Sequence, residues 1–228
     1  MISVVIPAHQ TAQYIEECIS SIKGNVEFEI IVGVDNCEET YNKIKDNQNI
    51  RTFFFNKNVG PFVIKNTLVD EAKYDYILFF DSDDIMAKGG LDEIANYTDV
   101  DYVMLKYIDF KGYVKDSDLR SHQMTNAVIA IKKSVFNSLN GFQPWRCGAD
   151  TEFTYRLIHN GCTSKTTQSI AYYRRLHNNN LTVRKETGHG SAVRKEYSDY
   201  INKAIQLNQW PNPLNKITQE YDKDTTTN

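Results

Sequence analysis

Tyr76-Ile77-Leu78-Phe79-Phe80-Asp81-Ser82-Asp83-Asp84 is the stretch on which the reading of this chain turns. Five consecutive apolar or aromatic residues describe a strand buried on both faces, and such strands belong mainly to parallel sheets covered by helices. Three carboxylates follow within four residues, at the carboxyl end of the strand, where an open α/β sheet keeps its ligand. In extended chain Asp81 and Asp83 point to the same side. Two hard oxygen donors then converge in a way that suits Mg2+ or Mn2+ carrying substrate phosphates. The same residues would equally make a solvated acidic turn capping the next helix, and the motif alone does not choose.

Upstream, the pattern alternates between strand and helix. Residues 2–6 are β-branched and apolar and end at Pro7. Thr11 is placed to cap a helix carrying Ile15, Cys18, Ile19 and Ile22 at helical spacing, with Gly24 as its stop. Residues 28–34 and 50–55 read as strands and 38–46 as a short helix. A further helix runs from Pro61, whose missing N–H does no harm in a first turn, to Ala72. Strands and helices alternating in units of roughly 25 to 30 residues predict right-handed βαβ units and a doubly wound sheet. Downstream the expected elements are a helix over 88–97, strands over 101–110, 113–115 and 127–131, and a loop over 116–125. Helices over 133–139 and 148–160 follow, then a strand over 166–173, a basic loop over 174–185 and a helix over 191–207.

With 228 residues, 41% hydrophobic and 24% charged, the chain has ordinary globular composition, and no apolar run approaches the ~20 residues that cross a bilayer. The N-terminus reads as a first strand and not as a signal peptide. A cytoplasmic protein, in a bacterial cell or a phage-infected host, is the expectation. Cys18, Cys37, Cys147 and Cys162 form no CxxC pair, which predicts free thiols. The net charge of −3 is unevenly spread: 11 basic against 19 acidic residues in 1–115, and 15 against 10 in 116–228. That leaves −8 on the first part and +5 on the second, which permits an anionic substrate on the second.

The motifs, taken together and in order, resemble those of the family 2 glycosyltransferases, inverting enzymes with the GT-A fold. The matching pieces are Val4-Val5-Ile6-Pro7, Glu29 to Asn36, Asn58-Val59-Gly60 with Lys65-Asn66, Asp81-Ser82-Asp83-Asp84, Asn140-Gly141-Phe142, Gly148 to Phe153, and Tyr172 to His177. The resemblance implies one GT-A domain over 1–207. Residues 1–115 would be its nucleotide-sugar half and 116–207 its acceptor half with a small antiparallel part, followed by a loosely attached tail over 208–228. It implies a metal-dependent transfer from a nucleotide sugar, a UDP-sugar first, to an acceptor hydroxyl.

Several residue roles follow from that resemblance. Asp35 would accept the uracil N–H, with Pro7, Ala8 and His9 beside the base; Asp35 would equally cap the helix at Glu38. Asn58 and Gly60 would let the backbone approach the nucleotide, and Lys65 stands where many relatives carry Arg. Asp81, with Ser82, would lie near ribose and sugar and reach the cation, which Asp83 would hold with His177. Arg174 and Arg175 would face the diphosphate. Asp150 would be the catalytic base of a single displacement, or else a helix cap. Where relatives carry Glu before it this chain has Ala149, so Glu152 is a candidate replacement. Trp145 and Arg146 would form an acceptor platform, Trp145 otherwise being core.

The expected acceptor is a saccharide or lipid-linked precursor of a surface glycan. From Arg120 to Lys203 there are 13 basic and five acidic residues. That excess allows a second reading, a phage-type enzyme glycosylating a modified DNA base, with Trp145 and Tyr172 near a flipped base. A catalytically inactive nucleotide-sugar binder is a third.

Overall fold

A computed structural model describes residues 1–112, 123–213, 216 and 218–223 of the chain. The expected strand over 113–115, most of the loop over 116–125, and Arg120 lie outside the described residues. The first half alternates as the sequence predicts: β1 (Ile2–Ala8), α1 (Ile15–Ser21), β2 (Phe28–Asp35), α2 (Glu38–Ile44), β3 (Arg51–Phe55), α3 (Pro61–Glu71) and β4 (Tyr76–Phe79). Then come β5 (Ile85–Met86), α4 (Gly90–Ala95), β6 (Tyr102–Phe110), β7 (Gln123–Lys132), α5 (Lys133–Ser138), α6 (Ala149–His159), β8 (Ser164–Arg175), α7 (Ala192–Leu207) and β9 (Asp222–Lys223).

All the strands join one sheet in the order β5-β8-β6-β7-β4-β1-β2-β3-β9. Parallel pairing runs through β4-β1-β2-β3, and antiparallel pairing begins where β7 joins β4 and β6. This is the α/β architecture of the GT-A fold. The deciding strand is buried on both faces, because its side chains alternate. Leu78 and Phe80 pack with Ile15, Cys18 and Val32 on one side. Ile77 and Phe79 pack with Ile64, Leu68 and Phe136 on the other.

Gly33, in β2, marks how closely α3 lies on the sheet: a Cβ there would stand 2.4 Å from Ile64 Cγ2 and 2.9 Å from Leu68 Cδ1. Only a bare backbone fits that contact.

Some expectations are corrected. Helix α1 starts at Ile15 and not at Thr11, because Thr11 to Tyr14 form a turn in which the Thr11 carbonyl accepts from the N–H of Tyr14 and Ile15. Arg174 and Arg175 do not open a loop; they close β8, with Arg175 opposite Phe110 of β6. Nor do the described residues from 218 to 223 hang loose. β9 adds to the edge of β3, with Phe53 opposite Lys223, and Tyr221 packs edge-on to Phe53 at 5.0 Å between ring centroids. No helix among the described residues is long and apolar enough to cross a membrane, and all four cysteines are free.

Candidate active site

The carboxyl ends of β1, β2 and β4 open into a cleft of about 530 Å3, within the usual size of a small-molecule site. Fourteen of the predicted residues line it: Pro7, Ala8, His9, Asp35, Asn58, Gly60, Lys65, Asp81, Ser82, Asp83, Arg146, Asp150, Arg174 and His177. Arg175, Trp145 and Glu152 do not.

The turn after β4 is not extended, and the Asp81 and Asp83 carboxylates take different partners, Lys65 and His177. The Asp84 N–H donates to the Asp81 carbonyl at 3.3 Å, closing a turn. The Asp81 carboxylate takes Lys65 Nζ at 3.2 Å. Burial pushes the Asp81 carboxyl up and the Lys65 charge pulls it back, while Asp83 and Asp150 add to the rise. Asp84 is buried and accepts from the Arg175 N–H at 2.9 Å; burial and its two acidic neighbours hold its carboxyl well above the usual range. Its part is to fasten the acidic turn to β8.

Asp83 Oδ2 lies 2.8 Å from His177 Nε2 and 3.3 Å from Asn180 Nδ2. His177 Nδ1 accepts from the Asn179 N–H at 3.1 Å, so the ring proton sits on Nε2 and points at Asp83. Asn180 also takes the His177 N–H on its Oδ1 at 2.7 Å and holds the loop in place. Among the described residues no three His, Cys, Asp or Glu side chains gather closely enough to hold an ion. The residues therefore fit a cation that arrives with its phosphate ligands, resting on one or two protein donors. Asp83 suits that role directly. His177 suits it only with its proton moved to Nδ1, which gives up the bond from Asn179, since a ligating imidazole donates through its other nitrogen.

Asp35 is buried and spends its carboxylate on the neighbouring loop, accepting from the N–H of Val59 at 2.8 Å and of Gly60 at 2.9 Å. It does not cap α2, whose N-cap position is Cys37. His9 Nδ1 donates to the Asp35 carbonyl at 2.6 Å, which keeps its ring beside the same loop.

Asp150 sits in the first turn of α6, following Gly148, the N-cap, whose left-handed φ of 78° suits glycine. Its carboxylate makes no cap bond and has no hydrogen-bond partner among the described residues. The segment entering α6 is held by two clasps that the sequence does not announce. Asn66 Nδ2 donates to the Phe142 carbonyl at 2.9 Å while its Oδ1 accepts the Phe142 N–H at 2.8 Å. Arg156 donates to the carbonyls of Leu139 and Gly141, both at 2.6 Å.

The three absent residues have structural employment. Glu152 is fully buried and paired with the equally buried Arg156, Nε to Oε1 at 2.7 Å and Nη2 to Oε2 at 2.9 Å. Arg175 reaches Glu17 at 2.5 Å and the Asp83 carbonyl at 2.9 Å, and stacks over Tyr14 and Phe110. Trp145 stacks on Tyr197 at 4.4 Å between ring centroids and so docks α7. Tyr172 is wholly buried against Tyr107 and Phe80. The Tyr172 ring is not available to a flipped base, and Trp145 already stacks within the protein. Arg174 lines the cleft but is bound to Asp109 at 2.6 and 2.9 Å. The cleft also includes Asn180, Arg184 and Arg194. Of these, Arg184 and Arg194 had a sequence signal only as part of the basic excess between Arg120 and Lys203, and Asn180 had none.

Residues 3–201 match the family model of Glycosyl transferase family 2. The chain belongs to that family. It is 25% identical to the poly(ribitol-phosphate) beta-N-acetylglucosaminyltransferase TarP of Staphylococcus aureus, over 91% of this chain and 74% of that protein. It is 26% identical to an uncharacterized glycosyltransferase of Haemophilus influenzae over 63% of this chain, which corresponds to 58% of that protein. Among solved structures, S. aureus TarS in complex with UDP-GlcNAc superposes with a TM-score of 0.64 at 18% identity, covering 90% of this chain and 73% of that one. The mannosyltransferase PcManGT of Pyrobaculum calidifontis, in complex with GDP-Man and Mn2+, gives 0.66 at 16% identity, covering 95% and 67%. These two likenesses establish the shared fold.

Proposed function

We propose that the chain transfers a sugar, with inversion, from a UDP-sugar to a hydroxyl of a surface-glycan precursor, in the cytoplasm and with a divalent cation. The observation that carries this reading is the unpartnered carboxylate of Asp150, which shares one cleft with the acidic turn and whose charge reaches Asp81 there. With no hydrogen-bond partner of its own among the described residues, that carboxylate has its lone pairs free to receive a proton.

In this reading Asp35 turns its remaining lone pairs to the uracil N–H, with Pro7, Ala8 and His9 alongside and Asn58 and Gly60 against the nucleotide. Asp81 and Ser82 face ribose and sugar, and Lys65 and Arg174 bring positive charge to the diphosphate. Asp83, with His177, would hold Mn2+ or Mg2+, which as a Lewis acid neutralises charge on the departing diphosphate. Asp150 takes the proton of the acceptor hydroxyl as its oxygen bonds to the anomeric carbon and the carbon–diphosphate bond breaks on the opposite face. UDP is favoured by the UDP-GlcNAc complex of TarS, and a surface-glycan acceptor by the name of TarP. The Mn2+ in the PcManGT complex supports the cation.

The test is a thermal-shift titration with UDP and GDP, with and without Mn2+, on the wild type and Asp83→Ala. Stabilisation by UDP that needs Mn2+ and disappears in Asp83→Ala is the expected outcome. No stabilisation by either nucleotide under any condition would sink the reading.

A further inference from the structure

The seven arginines among the described residues divide sharply. Arg51, Arg156, Arg174 and Arg175 each bond to a carboxylate. Arg146, Arg184 and Arg194 bond only to neutral oxygens, and all three line the cleft. Arg146 donates to the side chain of Asn58 and, at 3.0 Å, to its carbonyl. Arg184 donates to the Asn179 carbonyl at 2.8 Å and to Gln10 Oε1 at 3.4 Å. Arg194 donates to the Thr187 carbonyl at 2.6 Å. A guanidinium has five N–H donors in a fork that matches phosphate, so each keeps donors and its whole charge for a ligand.

Their position points to the acceptor more than to the donor. Arg146 precedes Cys147 on the segment that enters α6. Burial raises the Cys147 thiol, the Arg194 charge lowers it and the Asp150 charge raises it again, so Arg194 and Asp150 are both within electrostatic reach of that one side chain. The acidic turn already has its own cation in Lys65, which donates to Asp81 at 3.2 Å. Arg194 instead shares the cleft wall and the surroundings of Cys147 with Asp150, the carboxylate that would receive the acceptor proton.

We propose that the acceptor is a phosphate-bearing polymer, and that Arg146, Arg184 and Arg194 hold a phosphate next to the hydroxyl that is glycosylated. This rests on the cleft being a sugar-transfer site. Its consequence is electrostatic: three phosphate contacts imply that affinity falls roughly 20-fold from 50 to 200 mM salt, taking the slope found for flexible polyanions.

The experiment measures binding of poly(ribitol phosphate) and of uncharged dextran, and separately of UDP with Mn2+. It compares the wild type with Arg146→Gln, Arg184→Gln and Arg194→Gln at both salt concentrations. The expected result is that the wild type binds the phosphate polymer and not dextran. Each variant should lose about tenfold in polymer affinity, with a shallower salt slope and a larger loss for the polymer than for UDP. Failure of the polymer to bind the wild type, equal binding of dextran, or losses as large for UDP would overturn the proposal. In the last case the arginines serve the donor diphosphate. Failure of UDP to bind the wild type would instead count against the sugar-transfer reading, so the two failures are separable.

Discussion

Replacing Glu152 by Ala tests whether this carboxylate belongs to the fold or to the acceptor. Glu152 and Arg156 are both fully excluded from solvent. Four of the five guanidinium donors are used: two on the Glu152 oxygens and one each on the carbonyls of Leu139 and Gly141. Truncation leaves a buried cation with two neutral acceptors and no counter-charge. Breaking a buried pair from one side costs about 3–5 kcal/mol. In a chain of this size each kcal/mol lowers the melting temperature by about 2–4 °C, so Glu152→Ala should melt roughly 6–20 °C lower. The double variant Glu152→Ala with Arg156→Met removes both charges and should recover part of that loss. Recovery stays incomplete because the two carbonyls lose their donor, at about 1–3 kcal/mol for each group left buried. Thermal unfolding followed by circular dichroism reads the series. A Glu152→Ala protein that melts within about 2 °C of wild type but needs several times more acceptor for half-maximal rate would refute the structural assignment and return Glu152 to the acceptor site.

Asp150→Asn should cut transfer by about 10²–10⁴-fold while lowering the melting temperature by at most about 4 °C, the weight of one charge at a helix N-terminus; unchanged turnover would remove Asp150 as the base and favour a binder or a different base. Gly33→Ala should cost about 1–3 kcal/mol by overpacking, since its Cβ would overlap Ile64 and Leu68; an unchanged denaturation midpoint would refute the close contact of α3 with β2. Glu93 accepts from the N–H of Gln168 at 2.5 Å and of Ser169 at 3.0 Å. Burial pushes its carboxyl up, but these bonds and the Ser169 hydroxyl outweigh burial and bring it below the usual value. A depressed carboxyl stabilises the fold above its unfolded pKa and ceases to do so as pH falls through the folded value. Glu93→Gln should therefore be less stable near neutral pH, by under about 1 kcal/mol at this partly exposed site, and the difference should vanish in acid; a constant difference would refute the linkage.

What the sequence disclosed follows from how local each signal is. The run from Tyr76 to Phe80 needs nothing beyond itself to declare a doubly buried strand, and β1 and β2 read the same way. Helix α3 was legible because Pro61 marks its first turn. Helix α1 was misjudged at its start because Thr11 satisfies every local criterion for a cap, while a turn over Thr11 to Tyr14 is decided by packing. The short strands β5 and β9 have two residues each, too few for any periodicity, and they exist only because β8 and β3 offer them an edge.

The site shows the same division more sharply, and its errors share a cause. Residue type and spacing place a side chain near the cleft, as they did for Asp35, Asp81, Asp83, Asp150 and His177. They do not say which partner will claim it. Arg174 and Arg175 are adjacent and chemically identical, yet β8 sends one along the cleft to Asp109 and the other to Glu17, across 158 positions of sequence. Glu152 follows Asp150 by two residues, about 200° around a helix, so one faces the cleft and the other the core, where Arg156 stands one turn later. Charge says the same of the arginines. Composition revealed an excess of positive charge in the second half, but only the inventory of partners distinguishes the four that are neutralised by the fold from the three left unneutralised in the cleft. A cation whose counter-ion the fold supplies is structure; a cleft cation with no carboxylate partner among the described residues is, on the proposal above, a requirement placed on the substrate.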